Sequence, residues 1–413
     1  MIRQQPSQNL SKVRLALLAL SFVLSLHPSA AQSAGSFEDL QAIVDASNLR
    51  TSEAARVIDY AWTRISNRYH TPLIQGDSVV FLYRGKAKSV WFAGDFNAWG
   101  RSTAEPHAGT RIGGTDIWMM ALRLPSNARA DYKLVIDGSQ WMVDPNNPWQ
   151  QYAGVGGGTS NSEIRMPDWH DDPILEKRAG IHRGQLISHL AIESKELGYP
   201  IAYSLYVPAG YRYDTPCPVL YVFDGNEYLN GNLGSMATIL DNLIADKRIQ
   251  PLIGVFIDHR DPADTSKNRR MEELAMDPAY LTFLERELLP AVESKYRSDA
   301  RQRGVLGTSL GGLAATYAAV SRPQLYTRAG IQSPAYWYRP QIHQLVAGAG
   351  LRGLSAAITT GTLHDAQSEA QKMKVGLEEA SARVGYIEVP EGHSWGNWKR
   401  LIDDILVMLY PPN

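Results

Sequence analysis

The stretch GVLGTSLGGLAATYAAV, residues 304–320, constrains this chain more than any other. GVLG reads as an apolar strand and LGGLAATYAAV as a helix, with Ser309 at the corner and Gly307 and Gly311 two positions either side. A serine at such a corner must take a strained backbone conformation if its hydroxyl is to point out of a sheet. Side chains two positions away would then collide with neighbouring elements, which accounts for the glycines. Because the helix starts at the serine, its free N–H groups and its dipole face any negative charge that develops there. Gly312 and the alanines let the helix pack close to the sheet. G-x-S-x-G between a strand and a helix has the form of a nucleophile elbow. The pentapeptide alone also suits an inert tight turn, so its context decides.

That context is a series of continuous apolar runs. VLYVFDG, LIGVFID, RGVLGTS and SAAITTG each end in Gly, Asp or Ser and are separated by helical stretches such as SMATILDNLIADK. Apolar runs alternating with helices indicate a parallel sheet covered on both faces, an α/β architecture. Ligand sites in such sheets lie at the carboxyl ends of the strands. QLISHLAIES and IAYSLYVP precede the series as a strand pair, expected to be antiparallel.

A serine hydroxyl needs a base near neutral pH, and in this architecture the chain order is Ser, then Asp or Glu, then His. His343, His364 and His393 follow Ser309. His343, in PQIHQLV, reads as a helical surface residue, and His364 as loop packing or a minor part of the site lining. His393, in VPEGHSWGNW, falls between the strand-like YIEVP and a terminal helix, in a loop at a strand's carboxyl end, and is the candidate base. Asp365, in GTLHDAQ directly after SAAITTG, is the candidate acid, with Glu391 as the runner-up; Glu369, Glu378 and Glu379 fall in the helix that follows and read as solvated. Oxyanion donors are expected from the backbone N–H of Leu310 and from the turn after VLYVF, where Gly225 and Asn226 either donate or simply form a turn.

The first half of the chain follows other periods. Residues 1–31 hold Arg3, Lys12 and Arg14, the apolar run LALLALSFVLSL and then Ser29, Ala30 and Ala31, the layout of a secretory signal cut near Ala31. Its apolar run is short for a bilayer span, and no second one long enough follows, so a periplasmic or secreted protein without a membrane span is expected. Residues 36–70 show apolar positions at three- and four-residue steps and read as two helices broken near residues 47–51. From residue 76 to 166 the period is two. VVFLYRG, SVWFAGDF, IWMMALRL and DYKLVIDG are short strands between turn residues, as in a small β-sandwich. MPDWHDDP, residues 166–173, reads as a linker to the α/β domain at 174–413. Without residues 1–31 there are 38 basic against 42 acidic residues, about −4, which gives no support for nucleic-acid binding. The single cysteine, Cys217, cannot form an internal disulfide. His, Cys and Asp show no metal-ligand spacing and no dinucleotide fingerprint is present, so no cofactor is expected.

DGNEY, RRMEEL, YLTFLERELLPAVESKYR, GTSLGGL, GTLHDAQ and GHSWGNW occur in one order. This series resembles the enterochelin-esterase and esterase-D group of α/β-hydrolases over residues 185–409. The resemblance implies an esterase with Ser309 as nucleophile, Asp365 as acid and His393 as base. It also implies Arg270 near the substrate, against a plain salt bridge to Glu273 or a neighbour, and Trp395 bordering the pocket, with Trp398 in the core. VWFAGDFNAWG, ADYKLVIDGSQWMVDPNNP and TSNSEI are similar to the early-set, glycogen-binding-module type of immunoglobulin-like domain. By that resemblance Trp99, Lys133, Trp141 and Asn161 are sugar-binding candidates, unless the domain only packs or shapes a cleft; GSQW carries one residue more than the usual turn.

Three functions are compatible with these residues. One is a serine ester hydrolase opening trilactone siderophores or related catechol esters. A second is a polysaccharide-directed feruloyl or acetyl esterase, and a third is an acyltransferase of the same fold. The partner is therefore a small-molecule or glycan-linked ester; oligomeric state is not legible. Arg260, Lys267, Arg269 and Arg270 cluster after LIGVFID, and are either a basic pocket wall suited to an anionic ferric complex or a solvated basic loop.

Overall fold

A computed structural model describes residues 28–102, 104, 107–154 and 159–412. Most of the segment read as a secretory signal, residues 1–27, lies outside them, as does part of the glycine patch, residues 155–158. The chain divides into two compact units. Among the described residues, one holds 28–153 with Thr159–His170 and Pro390–Gly392; the other holds Gly154, Asp171–Val389 and His393 onward.

In the first unit two helices, α1 (Pro28–Ala46) and α2 (Ser52–Arg64), are separated by a turn at the expected break. Helix α1 begins at Pro28, inside the segment read as signal. Thr51 caps α2, its hydroxyl accepting from the N–H of Ala54 at 3.1 Å. Strands β1 (Leu73–Gln75), β2 (Ser78–Arg84), β4 (Thr110–Arg111) and β5 (Ile117–Arg123) form one antiparallel sheet in the order β1-β2-β5-β4. A second holds β3 (Val90–Gly94), β6 (Arg129–Ile136), β9 (Asn161–Arg165) and β8 (Gln150–Gln151), with β7 (Gln140–Met142) also paired to β6. Alternation along β2 divides the core. Val80 and Leu82 join Leu40, Ile43 and Ile65 of the helical segment. Phe81 points the other way, its ring 5.3, 5.1 and 5.0 Å from those of Phe92, Phe96 and Tyr132. The first sheet is thus covered by helices on one face and by the second sheet on the other. The segment read as a linker holds the boundary between the units, and its first part joins this packing: Met166 and Trp169 are buried, and the Trp169 indole donates to Glu391 at 3.2 Å. An indole that finds both an apolar bed and an acceptor is core, whatever the polar residues beside it suggest.

The second unit is built on eight strands, β10 (Gln185–Glu193), β11 (Pro200–Val207), β12 (Cys217–Val222), β13 (Ile253–Asp258), β14 (Ser298–Thr308), β15 (Arg328–Gln332), β16 (Ser355–Gly361) and β17 (Arg383–Val389). They lie in the order β10-β11-β13-β12-β14-β15-β16-β17. The pairs β10–β11 and β11–β13 are antiparallel and all others parallel. Continuous apolar runs form the central strands because both faces are buried. Val219, Tyr221 and Val305 face one core with helix α6 (Leu310–Ser321), while Leu220, Val222 and Leu306 face another with the last helix, Ile402–Leu409. Crossing from β14 to the neighbouring β12 and β15 puts the end of β14 in the middle of the sheet, where the serine corner sits.

Candidate active site

Short helices complete the site: α3 (Gly225–Leu229), α4 (Met236–Ala245), α5 (Arg270–Glu273), α7 (Gln367–Glu379) and α8 (Trp395–Arg400). Ser309 separates β14 from α6 and has φ 56°, ψ −114°. A positive φ in a non-glycine residue is strained. It is held by the Ser309 N–H donating to Gln332 O at 2.8 Å and by Ser309 O accepting from Ala335 N–H at 2.9 Å. A Cβ on Gly307 would run into the backbone of Gly311, so these two glycines let the strand and the helix meet.

His393 comes to this corner from the loop after β17. Its Nε2 lies 2.9 Å from Ser309 Oγ and its Nδ1 2.6 Å from Asp365 Oδ1. Asp365, in the loop after β16, has a fully buried carboxylate. Its Oδ2 accepts from the Gly361 N–H at 2.6 Å, from Ser333 Oγ at 2.6 Å and from Thr360 Oγ1 at 3.2 Å. Burial pushes this carboxyl up, but the His393 charge and hydrogen bond, with the donors from Ser333 and Gly361, outweigh it and hold Asp365 below the usual carboxylate range. An ionised carboxylate only accepts, so Nδ1 carries the imidazole proton and Nε2 is left to accept from the serine hydroxyl.

Ser333, at the end of β15, had no signal in the sequence beyond its place at a strand's carboxyl end. Its hydroxyl donates to Asp365 and accepts from the Trp398 indole at 2.9 Å. The Trp398 ring stands edge-on to His393, centroids 4.9 Å apart at 90°. Trp398 is buried, as expected. Trp395 is buried beside Glu227 rather than exposed. It is 2% exposed, its ring packs on Tyr228 and Trp398, and its Nε1 donates to Glu227 Oε2 at 2.6 Å.

The turn after β12 approaches the serine corner from the other side. Asp224 has φ 54°, and α3 begins at Gly225, where a Cβ would strike the backbone of Phe256 and Ile257. Arg270, expected near the substrate, is committed here. Its Nε and Nη2 grip the Asp224 carboxylate at 2.7 and 2.8 Å, and Nη2 reaches Thr308 O at 3.4 Å. The physical reason is burial: a carboxylate at 2% side-chain exposure needs a countercharge, and a bidentate guanidinium supplies it. Behind this pair the Asp224 N–H donates to His259 Nε2 at 3.2 Å while His259 Nδ1 lies 2.5 Å from Glu273. The N–H groups of Leu310, Gly225 and Asn226 start their helices and so have no intrahelical acceptor.

The other basic residues of that loop are paired too. Arg260 binds Asp258 at 2.6 Å, Arg269 binds Asp261 at 3.0 Å and stacks on Tyr199, and Lys267 lies 3.5 Å from Asp264. The cluster therefore presents no unpaired basic wall. His343 is hydrogen-bonded to Glu369 at 2.8 Å, so neither is simply solvated, and His364 is exposed. Glu391 is buried in the first unit, on Trp169. In that unit Lys133 and Trp141 share a face of the second sheet. Lys133 is bonded to Thr159 at 2.7 Å, Asn161 to Asp131 at 3.1 Å and Trp99 to Asp95 at 3.0 Å, whereas Trp141 is 50% exposed. Trp91, which also neighbours Val135 across the sheet, is exposed on that face as well.

A mostly parallel sheet that carries a strained serine on its central strand, with imidazole and carboxylate from later strand ends, is the α/β-hydrolase fold. The Esterase family model matches residues 194–409, more than half of the sequence, and the chain belongs to that family; it is a carboxylic ester hydrolase. The iron(III) salmochelin esterase of Escherichia coli O6:H1 is 25% identical over 329 residues, covering 70% of this chain and 77% of that protein. The uncharacterised protein YbbA of Bacillus subtilis is 25% identical over 147 residues, covering 33% of this chain and 57% of YbbA, a little over half its length. Among solved structures, the ferric enterobactin esterase of Salmonella typhimurium aligns with a TM-score of 0.68 at 20% identity, over 85% of this chain and 98% of that one.

Proposed function

We propose that the chain is a serine esterase of the enterochelin-esterase type, exported from the cytoplasm, that cleaves trilactone siderophores or related hydroxyaryl esters. The observation that carries this reading is the continuous hydrogen-bond path from Ser309 Oγ through His393 to the buried Asp365. His393 Nε2 takes the hydroxyl proton as Ser309 Oγ bonds to the ester carbonyl carbon. The Leu310 N–H, with Gly225 or Asn226, receives the oxyanion. The imidazolium then gives its proton to the departing alcohol oxygen, leaving an acyl-serine. Water, deprotonated by the same imidazole, attacks the acyl carbon, and the proton returns to Ser309 as the acid leaves. Asp365 holds the tautomer and stabilises the imidazolium throughout. Similarity to proteins named for salmochelin and enterobactin supports the substrate class, and the basic start and apolar run of residues 1–31 support export. The exposed indoles of Trp91 and Trp141 favour a second reading, a glycan-linked ester.

The test is an alkyl fluorophosphonate followed by intact mass and peptide mapping. One adduct on Ser309 is expected, and Ser309→Ala should lose both the adduct and about 10⁴–10⁶ of kcat with an unchanged circular-dichroism spectrum. A wild-type protein that gains no mass, or gains it elsewhere, would refute the mechanism.

A further inference from the structure

A cavity of about 450 Å³ opens beside the Asp224–Asn226 turn, lined among others by Asp224, Asn226, Glu227, Asp258, Arg260 and Asn268. Its charges cancel in pairs. Arg270 neutralises Asp224 at 2.7 Å and Arg260 neutralises Asp258 at 2.6 Å. His259, also in the lining, is held by the Asp224 N–H and by Glu273. Glu227 is the remaining carboxyl. The residue is 6% exposed, and its Oε2 is taken by the Trp395 indole. Its Oε1 has no hydrogen-bond partner among the described residues and is not fully sealed, and the side chain lines the cavity.

A carboxyl oxygen that keeps access to a cavity and has no protein partner is free to hydrogen-bond a ligand there. The Trp395 bond fixes the side chain, so Oε1 is pre-oriented. The cavity is lined by the Asp224–Asn226 turn, which abuts the serine corner, a Cβ on Gly311 falling 3.2 Å from Asp224 Oδ2, so one half of an ester bound at Ser309 can be directed toward it. A wall with balanced charges offers little to a polyanion and much to hydroxyl groups.

We propose that this cavity is the subsite for an uncharged ring bearing adjacent hydroxyls, a catechol or a sugar, and that Glu227 Oε1 binds one of those hydroxyls and so determines specificity. The inference rests on the esterase reading above. Burial and the neighbouring Asp224 carboxylate push Glu227 up to about 7, against the pull of the Trp395 indole, Arg270 and Arg260. Below that pH the cavity is neutral, and above it the cavity carries one negative charge. An ester bearing a carboxylate on the ring should therefore show a KM that rises as pH increases from 6 to 8.

The experiment compares ester pairs that differ only in hydroxyls. One arm is 4-nitrophenyl 2,3-dihydroxybenzoate against 4-nitrophenyl benzoate; the other is 6-O-acetylglucose against cyclohexylmethyl acetate. For Glu227→Leu the ratio of kcat/KM within at least one pair should fall about tenfold or more, mainly through KM, since one hydrogen bond of this kind is lost. A fall in the first pair assigns the catechol and a fall in the second the sugar. Glu227→Gln, which keeps size and hydrogen bonding, should hold the ratio within about threefold of wild type and abolish the rise in KM with pH for a carboxylate-bearing ester. Stoichiometric fluorophosphonate labelling of Ser309 shows that each variant is folded. Ratios unchanged in both pairs by Glu227→Leu, with labelling intact, would overturn the inference and leave the esterase reading standing. A wild type that neither labels nor turns over any of the four esters would instead remove the reading beneath it.

Discussion

Replacing Asp365 by Asn tests the site through a conflict that the structure makes unavoidable. The carboxylate offers two acceptor oxygens, one to His393 Nδ1–H at 2.6 Å and one to the Gly361 N–H at 2.6 Å and the Ser333 hydroxyl. An amide offers one oxygen and one NH₂. If its NH₂ faces Gly361, a fixed backbone donor meets a donor in a buried site and goes without an acceptor, at a cost of about 1–3 kcal/mol. If its NH₂ faces His393, the imidazole need only move its proton from Nδ1 to Nε2. The second arrangement wins, and it points an N–H at Ser309 Oγ, so the base no longer accepts the serine proton. A wrong tautomer of this kind lowers kcat by about 10⁴, which is about 5.4 kcal/mol of barrier. Ester hydrolysis at pH 7 measures it, with KM expected to change little because no contact to substrate is removed. Near-ultraviolet circular dichroism establishes that the fold persists, and the rate of fluorophosphonate labelling of Ser309 should fall in step with turnover, since it needs the same activated hydroxyl. Turnover of Asp365→Asn within about tenfold of wild type would refute the role of this carboxylate.

Arg270→Ala leaves the Asp224 carboxylate buried without its countercharge and should destabilise the protein by about 3–5 kcal/mol, read from urea unfolding. Pairing it with Asp224→Asn should recover a large part of that loss, and a single variant as stable as wild type would show that the clamp carries no stability. Phe81→Ala removes a fully buried ring that touches Phe92, Phe96 and Tyr132 and should cost about 3–5 kcal/mol in the same assay. A cost below about 1 kcal/mol would mean that the two sheets of the first unit do not depend on this contact.

The second unit was legible wherever one local rule sufficed. Central strands such as β12, and β14 over its last part Gly304–Gly307, are buried on both faces and wrote themselves as short apolar runs. The serine corner needed glycines at fixed offsets, and the strand-end rule then selected Asp365 and His393 from several acids and histidines. The first unit was less legible at its edges. Strands β4, β7 and β8 are two or three residues long, too short to show a period, and they owe their existence to a neighbour's open hydrogen bonds. The Met166–Pro173 stretch, read as a linker, does contain the boundary between the units, at His170 and Asp171, but its polar residues gave no sign that Met166 and Trp169 are buried.

The basic loop shows why charge was the least legible property. Four cations within a dozen residues suggest an electropositive wall when they are counted along the chain. Folding gives each one a carboxylate: Asp258 and Asp261 from the same loop or its strand, Asp264 beside Lys267, and Asp224 from 46 residues upstream of Arg270. The field in the cavity is set by the side chain left over, and that is an acid, Glu227, whose indole partner lies 168 residues away. Local sequence can place a strand, a corner and an imidazole, because each obeys its neighbours. A balance of charges is a sum over partners that only the closed chain brings together, so the preference of this site for charge or for hydroxyls belongs to the tertiary structure, and the Glu227 variants measure it there.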